Sequence, residues 1–203
     1  GQRQIGVRLA NHGSKRVLQI TVSGFTFSHL PPYSDWRSFR AEAAPLWDAY
    51  VRGVEPEQVV RIALRYINRL DLPGTNIEPY EYLNLYPKVP PEIPPDITGM
   101  FMQLRMPQDD IDAMAIINSS LVDSEREDAI SVILDFDLFQ ASERVPGDHR
   151  IWTTLDQISE RKNLLFNACL TDKAKEMYLL YWLKRNVITV FLWLHFRCKP
   201  RRP

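Results

Sequence analysis

Three arginines and two aspartates recur at short, regular intervals along this chain, and side chains of both types can bind ions or polar ligands. Arg61, Arg65 and Arg69 recur every four residues, and Asp135 and Asp137 form an Asp-x-Asp pair. Guanidinium groups bind phosphates and carboxylates through paired N–H donors, and neighbouring carboxylates can hold Mg²⁺ or Mn²⁺. These residues therefore predict either an anion-binding surface or, less specifically, a metal site.

Both sets of charged residues lie in segments that alternate between apolar and polar positions, which is typical of a strand with one buried face. In the run 59–72 most even positions are apolar, whereas the arginines and Asp71 occupy odd positions. The run 130–139 repeats the pattern, with Asp135 and Asp137 on its polar side. The alternative to a binding surface is a solvated sheet face on which the arginines pair with these aspartates across strands.

A proline-rich segment follows the arginine strand. Residues 73–95 contain seven of the 15 prolines together with three tyrosines, a composition that predicts a long ordered loop packed over the domain. Asn68 interrupts the apolar face just before this loop, and we expect its side chain to hydrogen-bond to the loop. The charged face of the sheet is then either open or covered by the loop.

Further strands follow from the same alternation. A hairpin is predicted over 7–27, with a bulge at Gly24 where the apolar phase slips. Residues 100–106 alternate methionine and leucine with polar residues and predict a core strand, and another strand begins near Met114. Short polar loops between these strands indicate an antiparallel arrangement.

Two regions have the apolar stripe of a helix. The first, 36–50, has Ser34 as its expected N-cap and contains Pro45, which is expected to kink or split it. The second, 151–178, contains a break at which Thr171 can cap a new helix. The predicted fold class is α+β: an antiparallel sheet of about five or six strands with helices packed on one face.

Composition excludes several classes of protein. The 203 residues contain 25 Lys+Arg and 25 Asp+Glu, so the net charge is zero and there is no strong signal for nucleic-acid binding. Two cysteines without a Cys/His cluster, no glycine-rich phosphate loop and no triad order leave no predicted catalytic residue, cofactor or metal. The expected protein is soluble and cytoplasmic.

Two residues on the apolar stripe of the second helical region are also informative. We expect Cys169 to be a buried structural thiol rather than a nucleophile. Lys162 stands where a hydrophobic residue is expected, and we expect it either to reach over the sheet edge to a carboxylate or to extend to solvent.

The end of the chain has an unusual composition. Residues 187–196 are almost wholly apolar and precede several basic residues, but ten residues are too few for a membrane span of about 20. We predict a single domain over 1–178 that lacks its first N-terminal strand, followed by an atypical apolar and basic tail over 179–203. A docked strand or helix, an interfacial membrane anchor and a read-through tail are the alternatives for this tail.

Ordered sequence blocks resemble a known family. RYINRLDLP at 65–73, ILDFDLF within 132–139 and LTDK at 170–173 are similar to an uncharacterised, sporadically distributed prokaryotic family of about 250 residues, the length of one or two domains. The resemblance spans 6–178. Members of that family usually begin with a further strand-like block and end soon after the LTDK helix. The resemblance implies a shared fold and brings no known activity.

The resulting functional prediction is a non-catalytic binding or regulatory module that uses its charged sheet face. The expected partner is an unidentified protein or a small anionic ligand, and a truncated sheet edge permits a homodimer. The alternative is a metal-dependent hydrolase or nuclease that acts through the two aspartates of the Asp-x-Asp pair, and a third hypothesis is a peripheral membrane role for the tail. The candidate binding residues are Arg61, Arg65, Asn68, Arg69, Asp71, Asp135 and Asp137.

Overall fold

The structure is a computed structural model that describes residues 6–11, 13, 15–74, 78–93, 97–182 and 188–197, with the side chains of 178–182 outside the description. Its strands are β1 (Gly6–Ala10), β2 (Arg16–Thr21), β3 (Gly24–His29), β4 (Gln58–Pro73), β5 (Phe101–Gln108), β6 (Ala113–Val122), β7 (Ala129–Arg144) and β8 (Ile188–Arg197). Its α-helices are α1 (Trp36–Val54), α2 (Arg150–Cys169) and α3 (Asp172–Trp182).

The described strands form one antiparallel sheet in the order β1-β2-β3-β8-β4-β7-β6-β5. The prediction of an α+β fold with an antiparallel sheet is confirmed, but the sheet has eight strands rather than about five or six. One extra strand arises because 17–27 is two strands, β2 and β3, joined by a turn at Val22 and Ser23. The predicted bulge at Gly24 is therefore wrong, because the change of apolar alternation there comes from this turn between two strands. The other extra strand is β8.

Strand β4 has the predicted alternation. Ile62, Leu64 and Tyr66 are fully buried, whereas the arginines on the other face are only half-buried. A bulge at Val60 shifts the register, so Val59 rather than Val60 is buried at the start of the strand. Along most of its length β4 pairs with β7 on one side and β8 on the other, which places it at the centre of the sheet.

Strand β8 occupies a central position between β3 and β4. Its even positions, Val190, Leu192, Leu194 and Phe196, are buried in the core, because alternate residues of a strand face opposite sides of the sheet. Among the alternatives for the tail, this segment is a docked strand. The basic residues beyond it, Cys198 and the expected missing first strand lie outside the described residues.

Helix α1 begins one residue later than expected. Asp35, not Ser34, is its N-cap, and its Oδ1 accepts a hydrogen bond from the Ser38 backbone N–H at 2.8 Å. The helix continues through Pro45 without a split. Trp47 contacts the ring of Phe25 on β3 with centroids 5.5 Å apart, so the helix adds aromatic area to the core.

Helix α2 contacts the buried side of the central strands. Its Ser159 shares a hydrogen bond of 3.3 Å with the Tyr66 hydroxyl of β4, and its Phe166 contacts Phe136 of β7 with centroids 6.0 Å apart. Asp156 accepts a hydrogen bond from Trp36 Nε1 at 2.8 Å, which joins α2 to α1. Within the part of the chain that is described, no helix has the length and apolar character needed to cross a membrane.

The described part of the proline-rich loop packs at the junction between α2 and α3. The backbone N–H of Asn84 donates to Cys169 O at 2.8 Å, and that of Thr171 donates to Tyr82 O at 3.0 Å. Leu83 is 1% exposed and belongs to the hydrophobic core. The prediction of an ordered, packed loop agrees with these contacts, and the contacts place it at the helix junction.

Candidate functional site

Two arginines of β4 form ion pairs with two aspartates of β7. Arg65 binds Asp135 through both oxygens, with Nε–Oδ1 at 2.9 Å and Nη2–Oδ2 at 2.7 Å. Arg61 Nη2 lies 3.0 Å from Asp137 Oδ2. The backbone register places Arg65 opposite Asp137, so the side chain of Arg65 reaches diagonally to Asp135, two residues along β7.

The third arginine belongs to a separate cluster at the end of β4. Arg69 Nε donates to Asp71 Oδ1 at 3.0 Å, and its Nη2 donates to Ser131 Oγ at 3.2 Å. Ser131 in turn donates to Asp71 Oδ1 at 2.6 Å. Sequence reasoning missed Ser131, although its position on the polar side of β7 could have identified it.

Polar side chains of β5 and β6 extend the ion pairs across the sheet. Asn118 Nδ2 donates to Asp135 Oδ2 at 3.1 Å, and Gln103 Nε2 donates to Asn118 Oδ1 at 2.8 Å. Because Asp135 is only 6% exposed, these hydrogen bonds are needed: a buried carboxylate without hydrogen bonds is strongly destabilising.

We call the surface that bears these pairs the charged face; it consists of Arg61, Arg65, Arg69, Asp71, Asn118, Asp135 and Asp137.

One candidate residue lies elsewhere. Asn68 is buried on the opposite side of β4, and its Nδ2 donates to Leu134 O of β7 at 3.0 Å. The prediction that Asn68 hydrogen-bonds to the proline-rich loop is therefore wrong. A side chain at an even position of β4 faces the core, and the nearest acceptor there is a backbone carbonyl of the neighbouring strand.

Burial and pairing change the pKa values of this face in different directions. Burial raises the pKa of Asp137 above its ordinary value, against the attraction of Arg61 and Arg65. Burial also opposes ionisation of Asp71, but hydrogen bonds from Ser131 and Arg69 outweigh it and lower the pKa of this carboxyl. The hydrogen bond to Asp135 raises the pKa of Arg65. Asp71 is thus stabilised as an anion, and Asp137 is less so.

The ion pairs bear directly on the metal hypothesis. A functional Asp-x-Asp metal site needs further oxygen or nitrogen ligands that converge on the aspartates, because Mg²⁺ and Ca²⁺ take six or more. Here the atoms that converge on Asp135 and Asp137 are guanidinium and amide nitrogens. Among the described residues, no group of three or more His, Cys, Asp or Glu side chains is placed to hold a metal ion.

Three aromatic residues adjoin the charged face, and we call them the aromatic flank: Phe139, Trp193 and His195. The guanidinium carbon of Arg61 lies 4.3 Å from the ring centre of Phe139 and 5.5 Å from that of Trp193. Trp193 meets His195 edge-on with centroids 4.8 Å apart, and it is 37% exposed. Sequence reasoning missed this flank because the expected domain ended before β8.

The buried side of the sheet contains a lysine in an unusual setting. Lys162 Nζ lies 4.1 Å from the ring centre of Tyr66, so it makes a cation–π contact instead of reaching a carboxylate or solvent as expected. Burial lowers the pKa of Lys162 to about 8. Burial also raises the pKa of the Cys169 thiol to about 11, which disfavours the thiolate that a nucleophile needs.

No protein-family model, no curated protein and no solved structure matches the chain. The resemblance to the sporadically distributed prokaryotic family stays a prediction. Any functional assignment therefore depends on the geometry of the described residues.

Proposed function

We propose that this chain is a non-catalytic binding or regulatory module that uses the charged face and its aromatic flank as the binding surface. In this arrangement the helices cover the opposite face of the sheet. The observation that carries the proposal is that Arg61, Arg65 and the solvent-exposed Trp193 share one face of the central strands, with the Trp193 ring 5.5 Å from the guanidinium carbon of Arg61. Arginine and tryptophan are the residues that most often dominate binding energy at interfaces.

The charge balance of the face limits its ligands. Each arginine of the charged face is already paired with an aspartate of the same face. A small anion would have to displace a carboxylate that makes two short hydrogen bonds, as at Arg65. The face therefore favours a partner with neutral polar groups or with its own matched charges over a simple anion.

The ion pairs also make the surface rigid. Bidentate contacts and the hydrogen bonds to Asn118 hold the side chains in one geometry before any ligand arrives. A rigid binding surface loses less conformational entropy on association. No contact among the described residues favours the alternative of a metal-dependent hydrolase or nuclease.

The proposal can be tested by NMR on the full chain. Arginine Nε–H and tryptophan indole N–H signals would be followed while sugars, nucleotides, dicarboxylates and peptides are added in turn. We expect at least one of these classes to shift the signals of Arg65 and Trp193 and to leave those of Arg40 and Trp36 unchanged.

Arg40 provides the matched control for this experiment. It pairs with Asp156, and its side chain is 42% exposed against 40% for Arg65. Arg65→Gln should weaken binding several-fold, whereas Arg40→Gln should not. If every class leaves the Arg65 and Trp193 signals unchanged, or if both variants weaken binding equally, the charged face is not the binding surface.

A further inference from the structure

A small cleft opens beside the aromatic flank, where β2, β3 and β8 lie next to one another. Its volume is about 230 Å³, and it is lined by Gln19, Thr21, Ser23, Gly24, Thr26, Trp193 and His195. Sites for drug-sized ligands measure roughly 300–1,000 Å³. The cleft therefore has room for a single ring and a few substituents.

The floor of the cleft exists because residue 24 has no side chain. Gly24 pairs with Thr21 on one side and His195 on the other. A Cβ atom built at Gly24 would lie 3.1 Å from Thr21 Oγ1 and 3.7 Å from His195 Cδ2. Any larger residue would fill the space between these two neighbours.

The walls of the cleft are neutral groups that donate and accept hydrogen bonds. Within the described part of the chain, the side chains of Gln19 and Thr26 have no hydrogen-bond partner, and neither does the indole N–H of Trp193. His195 presents an imidazole whose pKa is lowered by burial and by the charge of Arg61, which favours the neutral form of the ring. A neutral imidazole has one donor nitrogen and one acceptor nitrogen.

This combination of groups selects one kind of ligand. The flat apolar ring of Trp193 suits a ligand with an apolar face, and mixed donors and acceptors suit a rim of hydroxyl groups. Nothing in the lining carries the full charge that a phosphate or carboxylate needs. A pyranose has these properties, since C–H groups cover one face of the ring and hydroxyls surround it.

We propose that this cleft binds one neutral pyranose ring of a carbohydrate, with Trp193 stacked against its C–H face. The proposal rests on the proposed function, because the cleft adjoins the charged face, and it specifies the ligand class. A single ring held by one indole and three or four polar groups binds weakly, with Kd near the millimolar range, about −4 kcal/mol.

The test is an NMR titration of the full chain with glucose, galactose, mannose and N-acetylglucosamine, and separately with adenosine. The readout is the indole N–H signal of Trp193, identified among the five tryptophans by its loss in Trp193→Ala. We expect at least one sugar to shift this signal in a saturable way below about 50 mM, as a millimolar Kd requires.

Gly24→Ala tests the cleft itself, and Gly53→Ala is its matched control. The added methyl group at position 24 would occupy the floor of the cleft between Thr21 and His195, but at position 53 it meets nothing within 4 Å. We expect at least tenfold weaker sugar binding in Gly24→Ala and unchanged binding in Gly53→Ala. Circular dichroism confirms that each variant is folded, and Gln19→Ala, which alters another lining residue and keeps the Trp193 signal, replaces Gly24→Ala if the latter is not.

Three outcomes would overturn the inference: no sugar shifts the Trp193 signal, adenosine shifts it and the sugars do not, or a sugar shift survives in folded Gly24→Ala. In the second case the proposed binding module stands, and only the ligand class is wrong. In the first case, the wider panel of ligand classes that tests the charged face decides whether the module also fails. A shift of the Arg65 and Trp193 signals with another class would leave the module standing.

Discussion

At the scale of single residues, the Arg65–Asp135 pair joins two sites that are 70 positions apart in the chain. The two ends of the pair differ in exposure, at 40% for the Arg65 side chain and 8% for that of Asp135. Removing the arginine would leave the more buried carboxylate with Asn118 as its remaining side-chain partner among the described residues. Loss of the pair would therefore destabilise the buried Asp135 more than the exposed Arg65.

We expect Arg65→Met to lower the free energy of unfolding by about 1–2 kcal/mol, since hydrogen bonds to a buried charge are lost while solvent screens part of the effect. Urea denaturation at pH 7 measures this loss. Arg126→Met is the control, because its partner Asp128 is exposed, and it should change little. Equal losses in the two variants would show that Asp135 is well solvated.

Lys162 should make stability depend on pH. Its pKa is about 8 in the folded chain and has the ordinary value of 10.5 when unfolded, so the unfolded chain binds more protons between these values. Stability is then lowest below pH 8 and rises as pH increases towards 10.5. Burial raises the pKa values of Tyr33 and Tyr66, and these groups oppose the rise above about pH 10.

Lys162→Met should remove this dependence and stabilise the protein at pH 7, by at most about 3 kcal/mol if each pKa unit is worth about 1.4 kcal/mol. In urea denaturation, the difference in the free energy of unfolding between wild type and variant should become smaller from pH 7 to pH 9.5. Lys175→Met, at an exposed ion pair with Asp172, should give no such trend. A constant loss of stability at every pH would mean that the Lys162 amine is well solvated or paired.

At the scale of elements, one hydroxyl contacts both a helix start and the loop at the junction of α2, α3 and the proline-rich loop. Thr171 Oγ1 accepts a hydrogen bond from the Ala174 backbone N–H at 3.3 Å and donates to Glu81 O at 2.6 Å. The first contact caps α3, as expected for the Thr-Asp-Lys sequence, and the second fastens the loop. A helix start and a loop are thus held by the same atom.

Thr171→Ala should destabilise the protein by about 1 kcal/mol or slightly more, the usual cost of a lost N-cap together with a loop contact. Thermal unfolding measures the cost, and amide exchange should be faster at residues 171–175. Thr171→Ser keeps the hydroxyl and should behave like wild type. If the serine variant loses as much stability as alanine, packing of the methyl group rather than capping explains the effect.

At the scale of the whole molecule, the sheet is completed by the last described element. Strand β8 joins the β1-β2-β3 part to the β4-β7-β6-β5 part, and its backbone pairs with both neighbours. Without β8, the paired edges of β3 and β4 and the buried side chains beneath them would face water. Long-range pairings of this kind also make folding slow.

A chain that ends at Trp182 should therefore lose cooperative unfolding and expose apolar surface, which near-UV circular dichroism and dye binding detect. A chain that ends at Arg197 keeps β8 and should retain a single transition. If the shorter chain unfolds cooperatively at a similar temperature, β8 does not contribute to the core, and the sheet is stable without it.

The sequence alone determined the local features of this protein. Alternation along β4 and β7 placed the arginines and aspartates on the polar sides of their strands, because a strand repeats every two residues whatever its neighbours are. The helical stripes predicted α1 and α2, and the cap at Thr171 was also readable, since a helix start depends on the residues beside it. The α+β class followed from these elements.

The contacts between segments that are distant in the chain could be known only from the folded structure. It placed β8 at the centre of the sheet, paired Arg65 with Asp135 rather than with the opposite Asp137, and set Lys162 over Tyr66. It also separated Asn68 from the charged face. Strand order, register and side-chain partners depend on the combined burial of residues far apart in the chain, and no local pattern contains that information.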